Sequence, residues 1–394
     1  MSKETLIVGA ARTPIAALSG ELSSQSSTDL GAVAIAGALE RSGLNKDVVQ
    51  RVFMGNVLTA GLGQAPARTA AMNAGIDLSA ACVTLNKMCG SGMEAVMLAD
   101  TLIRAGDIEV AIAGGMESMT NAPYLVPKAR GGYRIGHDRL LDHMMFDGLE
   151  DPASGDSMGI CTEEVLDKNV WCDRAALDKF AVQSLEWSQR AQRDGDFKDE
   201  IVPVALNVRG KTSVVDSDEQ PRRGNAEKIP TLKPAFRRDG GRLTAANSSS
   251  ISDGAAALVL MDSDTAKAKG IKGLARIVAQ THWAGAPREF ACAPNFALDL
   301  LFKKTGWSVA DVDLFEINEA FAAVPMMAMH AHDIPREKIN VNGGACALGH
   351  PIGASGARIL VTLLYALKRR NLKRGIAGIC IAGGEATAVA IELI

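Results

Sequence analysis

The second half of this chain repeats the first in order, and that duplication constrains the fold more than any other feature. Residues 274–279 answer the opening apolar run at 6–10. Residues 313–316 answer the run at 52–55. Gly353-Ala354-Ser355-Gly356 opens a helix as Gly90-Ser91-Gly92 does, and Ile381-Ala382-Gly383-Gly384 repeats Ile112-Ala113-Gly114-Gly115 letter for letter. Several matches in one order point to two similar halves, each built on one sheet. Two halves packed around a pseudo-twofold axis bring equivalent loops together, so residues far apart in the chain come to share one pocket.

Within each half, short apolar runs alternate with helical patterns. Leu6-Ile7-Val8-Gly9-Ala10 reads as a buried strand, and Asp29 is placed to cap a helix over 30–41 that Gly43 ends. Strands follow at 52–55 and 110–115, with helices at 66–74 and 92–104. This alternation predicts a largely parallel sheet covered on both faces. Between residues 121 and 247 the texture changes. Charges, glycines and prolines rise, and one clear helix, 174–194, opens behind an Asp173 cap. A segment of this length reads as a functional excursion from the sheet. The expected organisation is a first half at 1–120 and 248–270, an inserted loop domain at 121–247, and a second half at 271–394.

With 47% apolar residues and 39 glycines in 394, the chain can bury a large core with closely packed backbone. A net charge of −3 argues against nucleic acid or an acidic membrane as the main partner. Seven scattered cysteines without C-x-x-C spacing fit free thiols in a reducing compartment. The opening residues lack a signal pattern and no apolar run is long enough to span a bilayer, so a soluble cytoplasmic protein is expected.

The stretch Asn86-Lys87-Met88-Cys89-Gly90-Ser91-Gly92 places a thiol between an apolar run at 80–85 and a helix. A helix N-terminus favours the thiolate, and the two glycines leave room for a carbonyl to approach. Taken alone, Cys89 reads equally well as a buried cysteine at a tight turn. Three further segments carry polar groups beside glycine or small-residue backbone: Asn318-Glu319-Ala320-Phe321, Gly349-His350-Pro351 and Cys380-Ile381-Ala382. Cysteine with histidine is the pairing of an activated nucleophile, a second cysteine can move a proton, and glycine-turn N–H groups can hold an oxyanion. Each also has a structural reading: a packing histidine, a core-filling Cys380, and Asn318-Glu319 as a helix cap.

These four segments resemble the Cys-x-Ser, Asn-Glu-Ala-Phe, Gly-His-Pro and Cys-x-Gly signatures of the thiolases, acyl-CoA acyltransferases. The resemblance runs from the opening strand to Ile394. It implies duplicated α-β-α-β-α layered halves with a loop domain inserted in the first, and an acetyl-CoA acetyltransferase or 3-ketoacyl-CoA thiolase activity. It further implies Cys89 as the nucleophile that carries the acyl group. His350 would activate it and, with a water held by Asn318, form one oxyanion hole. Cys380 would move the α-proton, and the N–H groups of Cys89 and Ala382 would form a second oxyanion hole. For CoA, the resemblance places Arg222 near the adenine end, Phe236 and Ser249 along the pantetheine, and Leu149, Met158, Ala320 and Phe321 near the catalytic pocket. Neither a metal nor a redox cofactor is implied, and a homodimer or homotetramer is.

The chain departs from the family pattern at Ala382, where a glycine is usual, at Glu385, and at Ser157, where short-chain biosynthetic members tend to carry histidine. Ala382 serves as an N–H donor only if its backbone angles suit a Cβ. Glu385 either points away into a salt bridge or disfavours ionisation of Cys380. Ser157 leaves the acyl chain length open. Ketoacyl synthases share the fold but lack the terminal-strand cysteine. A non-catalytic acyl-CoA or lipid-binding protein is the alternative.

Overall fold

The computed structural model describes residues 3–208 and 210–394. Nine strands of its main sheet, numbered here in chain order, are β1 (Thr5–Arg12), β2 (Arg51–Gly55), β3 (Ala81–Leu85), β4 (Val110–Ser118), β5 (Ser252–Asp262), β6 (Ala275–Ala284), β7 (Leu314–Ile317), β8 (Arg374–Ile381) and β9 (Glu385–Leu393). Their spatial order is β7-β8-β9-β6-β1-β5-β4-β2-β3, with a short tenth strand, Ala16–Ala17, against β5. Four strands of the second half lie on one side of the β1–β6 contact and six of the first half on the other, counting that short strand. The contact pairs only Leu6 with Arg276 and Ile7 with Ala275, so the halves are joined into one sheet by a narrow seam.

The expected parallel sheet is corrected to a mixed one. Only the β7–β8, β2–β4 and β2–β3 pairings are parallel; the others along the path run antiparallel. The misreading has a physical cause. Continuous apolar runs report burial on both faces, and that burial is independent of strand direction. Alternate residues of one strand serve different cores: Ile7 of β1 faces a central core, while Leu6 and Val8 face an outer one. In β8, Ala377 and Ile379 face the centre, while Ile376 and Cys380 face the opposite outer core. Three cores between five layers give the expected α-β-α-β-α stacking.

The middle layer consists of α2 (Ser91–Ala105) and a long helix, α5 (Ile352–Arg369); α1 (Ser27–Ser42) lies on the outside. Every residue of α5 from Ile352 to Leu367 is buried, as befits a helix wrapped on all sides. Glycine permits the close approach of α2 and α5. A Cβ on Gly92 would lie 2.8 Å from the Ala357 nitrogen, and one on Gly356 only 2.5 Å from that of Met93. Equivalent glycines from the two halves thus meet at the pseudo-twofold axis. They bring the N-terminal ends of both helices, and the loops before them, to one place.

Two local expectations are revised. Helix α1 is capped by Ser26 rather than Asp29, which occupies N3 and closes a capping box. The four-letter repeat is not structurally equivalent. Ile112 to Gly115 lie inside β4, whereas β8 ends at Ile381 and Gly383 and Gly384 form a turn with φ of 95° and 84°.

Inside the excursion are α3 (Met158–Lys168) and α4 (Arg174–Arg193), the latter capped by Asp173 through the Ala176 N–H. Its return, residues 247–250, is tied to the second half. The Ala322 N–H donates to the Asn247 carbonyl, Ser249 N–H to Ala320, and His350 N–H to Ser250. One short stretch therefore fixes both polar loops of the second half against the inserted segment.

Candidate active site

Cys89 sits on a strained turn. Met88 adopts φ 48°, a left-handed conformation costing a side-chain-bearing residue about 1–2 kcal/mol. Local hydrogen bonds hold it there: Asn86 Oδ1 accepts from the Met88 N–H, and Ser91 Oγ accepts from the Lys87 N–H at 2.8 Å while donating to the Met88 carbonyl at 2.6 Å. Ile381 packs directly over Gly90: a Cβ there would lie 2.4 Å from Ile381 Cδ1 and displace that side chain.

The sulfur lines the end of a mostly apolar cavity of about 390 Å³. His350 and Ala382 line the same space, as do six of the seven residues expected to contact CoA: Leu149, Met158, Phe236, Ser249, Ala320 and Phe321. Phe321 meets Phe236 and Phe290 edge-on, with ring centroids 5.9 Å and 6.3 Å away, which gives the cavity a rigid aromatic side. Arg222 is not part of this wall. Its guanidinium binds Glu21 Oε2 at 2.5 Å and the Asp218 carbonyl. Its neighbour Arg223 instead borders a second, adjoining cavity, together with Lys228 and Asn225. Ala245 and Ser250 line both cavities, so the two lie side by side.

The thiolate that the helix start favours is opposed by burial. Removal from water pushes the Cys89 thiol up to about 11, outweighing the opposing N–H groups of Ala382 and of Cys89 itself that point at the sulfur. A resting thiol therefore needs a base. His350 is buried, and burial, reinforced by the nearby Arg358 guanidinium, pushes its imidazole down to about 3, so it is neutral. Its Nδ1 lies 2.6 Å from Ser355 Oγ, whose own proton goes to the Pro351 carbonyl at 2.9 Å. With the hydroxyl proton on Pro351, Nδ1 carries the ring proton and Nε2 keeps a lone pair, and Nε2 has no partner among the described residues. That tautomer is the one a general base requires.

Asn318 is buried, with Nδ2 3.5 Å from His350 Nδ1 and Oδ1 3.5 Å from Arg358. Glu319 does not cap the helix that follows it, Ala323–His332. Its carboxylate binds Asn340, Ser184 and the Cys346 N–H, bracing the loops around Asn318 and His350. Cys380 is fully buried; burial, and then the nearby Cys89, raise its thiol well above the usual range. Ala382 does not adopt positive φ; Gly383 and Gly384 do, so the unusual residue stands where a Cβ is tolerated. Glu385 is salt-bridged to Lys87 at 2.5 Å, the first of the two outcomes expected for it.

The sequence reading missed Ser355 as a partner of His350; its place in the first turn of the helix that directly follows His350 was a usable signal. It also missed Phe290, Met119 and Met145 in the cavity wall, for which the linear pattern held none.

A thiol, a neutral imidazole with a free lone pair, a second thiol and converging N–H groups, at the end of an apolar channel, define a thiol-dependent acyltransferase. Residues 5–264 match the thiolase N-terminal domain and residues 271–393 the thiolase C-terminal domain. Acetyl-CoA acetyltransferase 2 of Arabidopsis thaliana is 48% identical over 394 residues, covering 100% of this chain and 98% of that protein. The mitochondrial acetyl-CoA acetyltransferase of Bos taurus is 44% identical, over 99% of this chain and 91% of that protein, so a mitochondrial address occurs within the family beside the cytoplasmic one expected here. The crystal structure of the Bacillus anthracis acetyl-CoA acetyltransferase superposes with a TM-score of 0.96 at 38% identity, covering 100% and 99% of the two chains. A thiolase of Ascaris suum, solved in complex with coenzyme A, does so with 0.94 at 39%, covering 100% of both. The chain belongs to the thiolase family and is an acyltransferase. No helix among the described residues is long and apolar enough to cross a membrane.

Proposed function

We propose that the chain exchanges acyl groups between CoA thioesters through an acyl-Cys89 intermediate, interconverting acetoacetyl-CoA plus CoA with two acetyl-CoA. In the thiolysis direction, His350 Nε2 takes the Cys89 proton and the thiolate attacks the 3-keto carbon. The Cα–Cβ bond breaks, and the resulting acetyl-CoA enolate takes its proton from Cys380. The Cys380 thiolate then deprotonates incoming CoA, which attacks the acyl group. Cys89 leaves and recovers its proton from His350. The N–H groups of Ala382 and Cys89 stabilise one oxyanion, and His350 with Asn318 the other. The observation that carries this reading is the free, buried lone pair of His350 in the cavity wall that also holds Cys89.

CoA would enter past the adjoining cavity, its pantetheine between Phe236 and Ser249. Lys228, on the rim of that cavity, suits the anionic end, whereas Arg222 is paired with Glu21 and Arg223 with Glu219. The test is thiolysis of 3-ketoacyl-CoAs of increasing chain length, followed by loss of enolate absorbance. Turnover of acetoacetyl-CoA is expected; an inert enzyme at every length would mark a binding protein instead.

A homodimer or homotetramer is the reading for assembly. It is supported by edge strand β3, whose outer side is unpaired in this chain and carries Val83 at 38% exposure, beside Leu78 at 66%. The opposite edge, β7, is fully buried. Sedimentation should give a multiple of 41.4 kDa; a Val83→Lys variant is expected to shift it to the monomer, and a wild-type monomer would refute the assembly.

A further inference from the structure

Two turns meet at the reacting sulfur, one from each end of the chain. The turn at 86–90 carries Cys89, and the turn at 382–384 carries the Ala382 N–H that points at it. The second turn is held from behind: it is closed by the Ile381–Glu385 strand pair, Gly384 packs on the Gly285-Ala286 backbone, and the Gly285 N–H donates to the Gly384 carbonyl. Gly383, at φ 95°, has nothing within 4 Å of where a Cβ would be, so the tip of the turn has no packing partner there. Toward Cys89 it is flanked by Ile381 lying over Gly90 and by the ion pair of Lys87 Nζ with Glu385 Oε2 at 2.5 Å, between residues 298 apart in sequence. Lys87 lies two residues before the nucleophile, and Glu385 directly follows the glycine turn.

We propose that Lys87 and Glu385 are a positioning pair for the acyl transfer proposed above, latching the Ala382 turn onto the Cys89 turn so that the N–H stays aimed at the sulfur. The inference rests on that function, and neither residue touches the reacting atoms. Both side chains are partly exposed, at 23% and 37%, so the pair adds little to global stability. Its effect falls on geometry, where a displacement on the order of 1 Å costs up to about a hundredfold in rate.

A second explanation is that Lys87 acts through its charge alone, favouring the Cys89 thiolate. Glu94, paired with His282 at 2.8 Å, also stands near Lys87 and shares that field. Charge exchange separates the two. A latch is restored by exchanging the charges, whereas a field effect is inverted by it. The experiment measures kcat and KM for thiolysis in Lys87→Gln, Glu385→Gln and the exchanged Lys87→Glu/Glu385→Lys enzyme, with melting temperature and the pH profile of Cys89 alkylation.

Each single variant is expected to lose about tenfold in kcat with KM for CoA within about twofold and an unchanged melting temperature. The exchanged enzyme should recover to within about threefold of wild type, with the alkylation midpoint unmoved. Single variants with wild-type kcat, or an exchanged enzyme no better than either, would overturn the latch. Cys89→Ala serves as the control: if it retains turnover, the acyl-Cys89 function fails first; if it is inert while the Lys87 and Glu385 variants are unaffected, only the latch fails.

Discussion

Cys89→Ala is expected to lower thiolysis by about 10⁴-fold or more, the scale on which removal of a nucleophile from a working triad is felt. The fold should persist, since the side chain is half-buried on a cavity wall and its loss opens no closed void. Wild-type enzyme treated with acetoacetyl-CoA should gain the mass of one acetyl group at Cys89, and the variant none. The pH dependence carries the mechanism. A thiol pushed up to about 11 is almost entirely protonated at neutral pH, so turnover there depends on the base. His350 acts when neutral. With its value pushed down from 6.5 to about 3, the active form persists as pH falls through the range where an ordinary histidine would charge. Activity should therefore show no acid limb near 6.5. A limb there would mean that His350 is solvated during turnover, and acylation without Cys89 would remove the mechanism altogether.

Cys380→Ser is expected to separate the two half-reactions. Exchange of the α-proton of acetyl-CoA with deuterated water should slow by about 10²–10⁴-fold, the usual contribution of a placed acid/base, because a hydroxyl is a far weaker acid than a thiol. Acylation of Cys89, in whose attack step Cys380 takes no part, should still be visible by mass. The substitution leaves no large cavity at this fully buried position but puts a hydroxyl into the outer core around β8, so folding of the variant is checked by melting temperature. If exchange and acylation disappear together in a folded variant, the assigned division between the two sulfurs is wrong.

Much of this site was legible before any coordinates. Cys89, His350 and Cys380 stood out because each is a reactive group beside a glycine or small residue at the end of an apolar run, a placement that packing alone does not require. The duplicated order of elements was legible for the same reason, since apolar periodicity records burial. What periodicity does not record is direction. The strands β1, β5 and β4 read as they would in a parallel sheet, yet run antiparallel, because both of their faces are covered. Nor does it record conformation, as the identical four-letter runs at 112–115 and 381–384 show by adopting a strand and a turn.

The linear order of residues determined which groups are present, where strands and helices begin, and that two alike halves had to meet. Their ionisation was decided only by the tertiary structure. The helix terminus beside Cys89 argued for a thiolate, but enclosure by the second half withdraws the sulfur from water and reverses the sign. Arg358, eight residues beyond His350, likewise became a reason for a neutral imidazole only once both were buried together. Propensity and pattern act within a few residues, whereas desolvation and charge act through space, among groups that only folding makes neighbours.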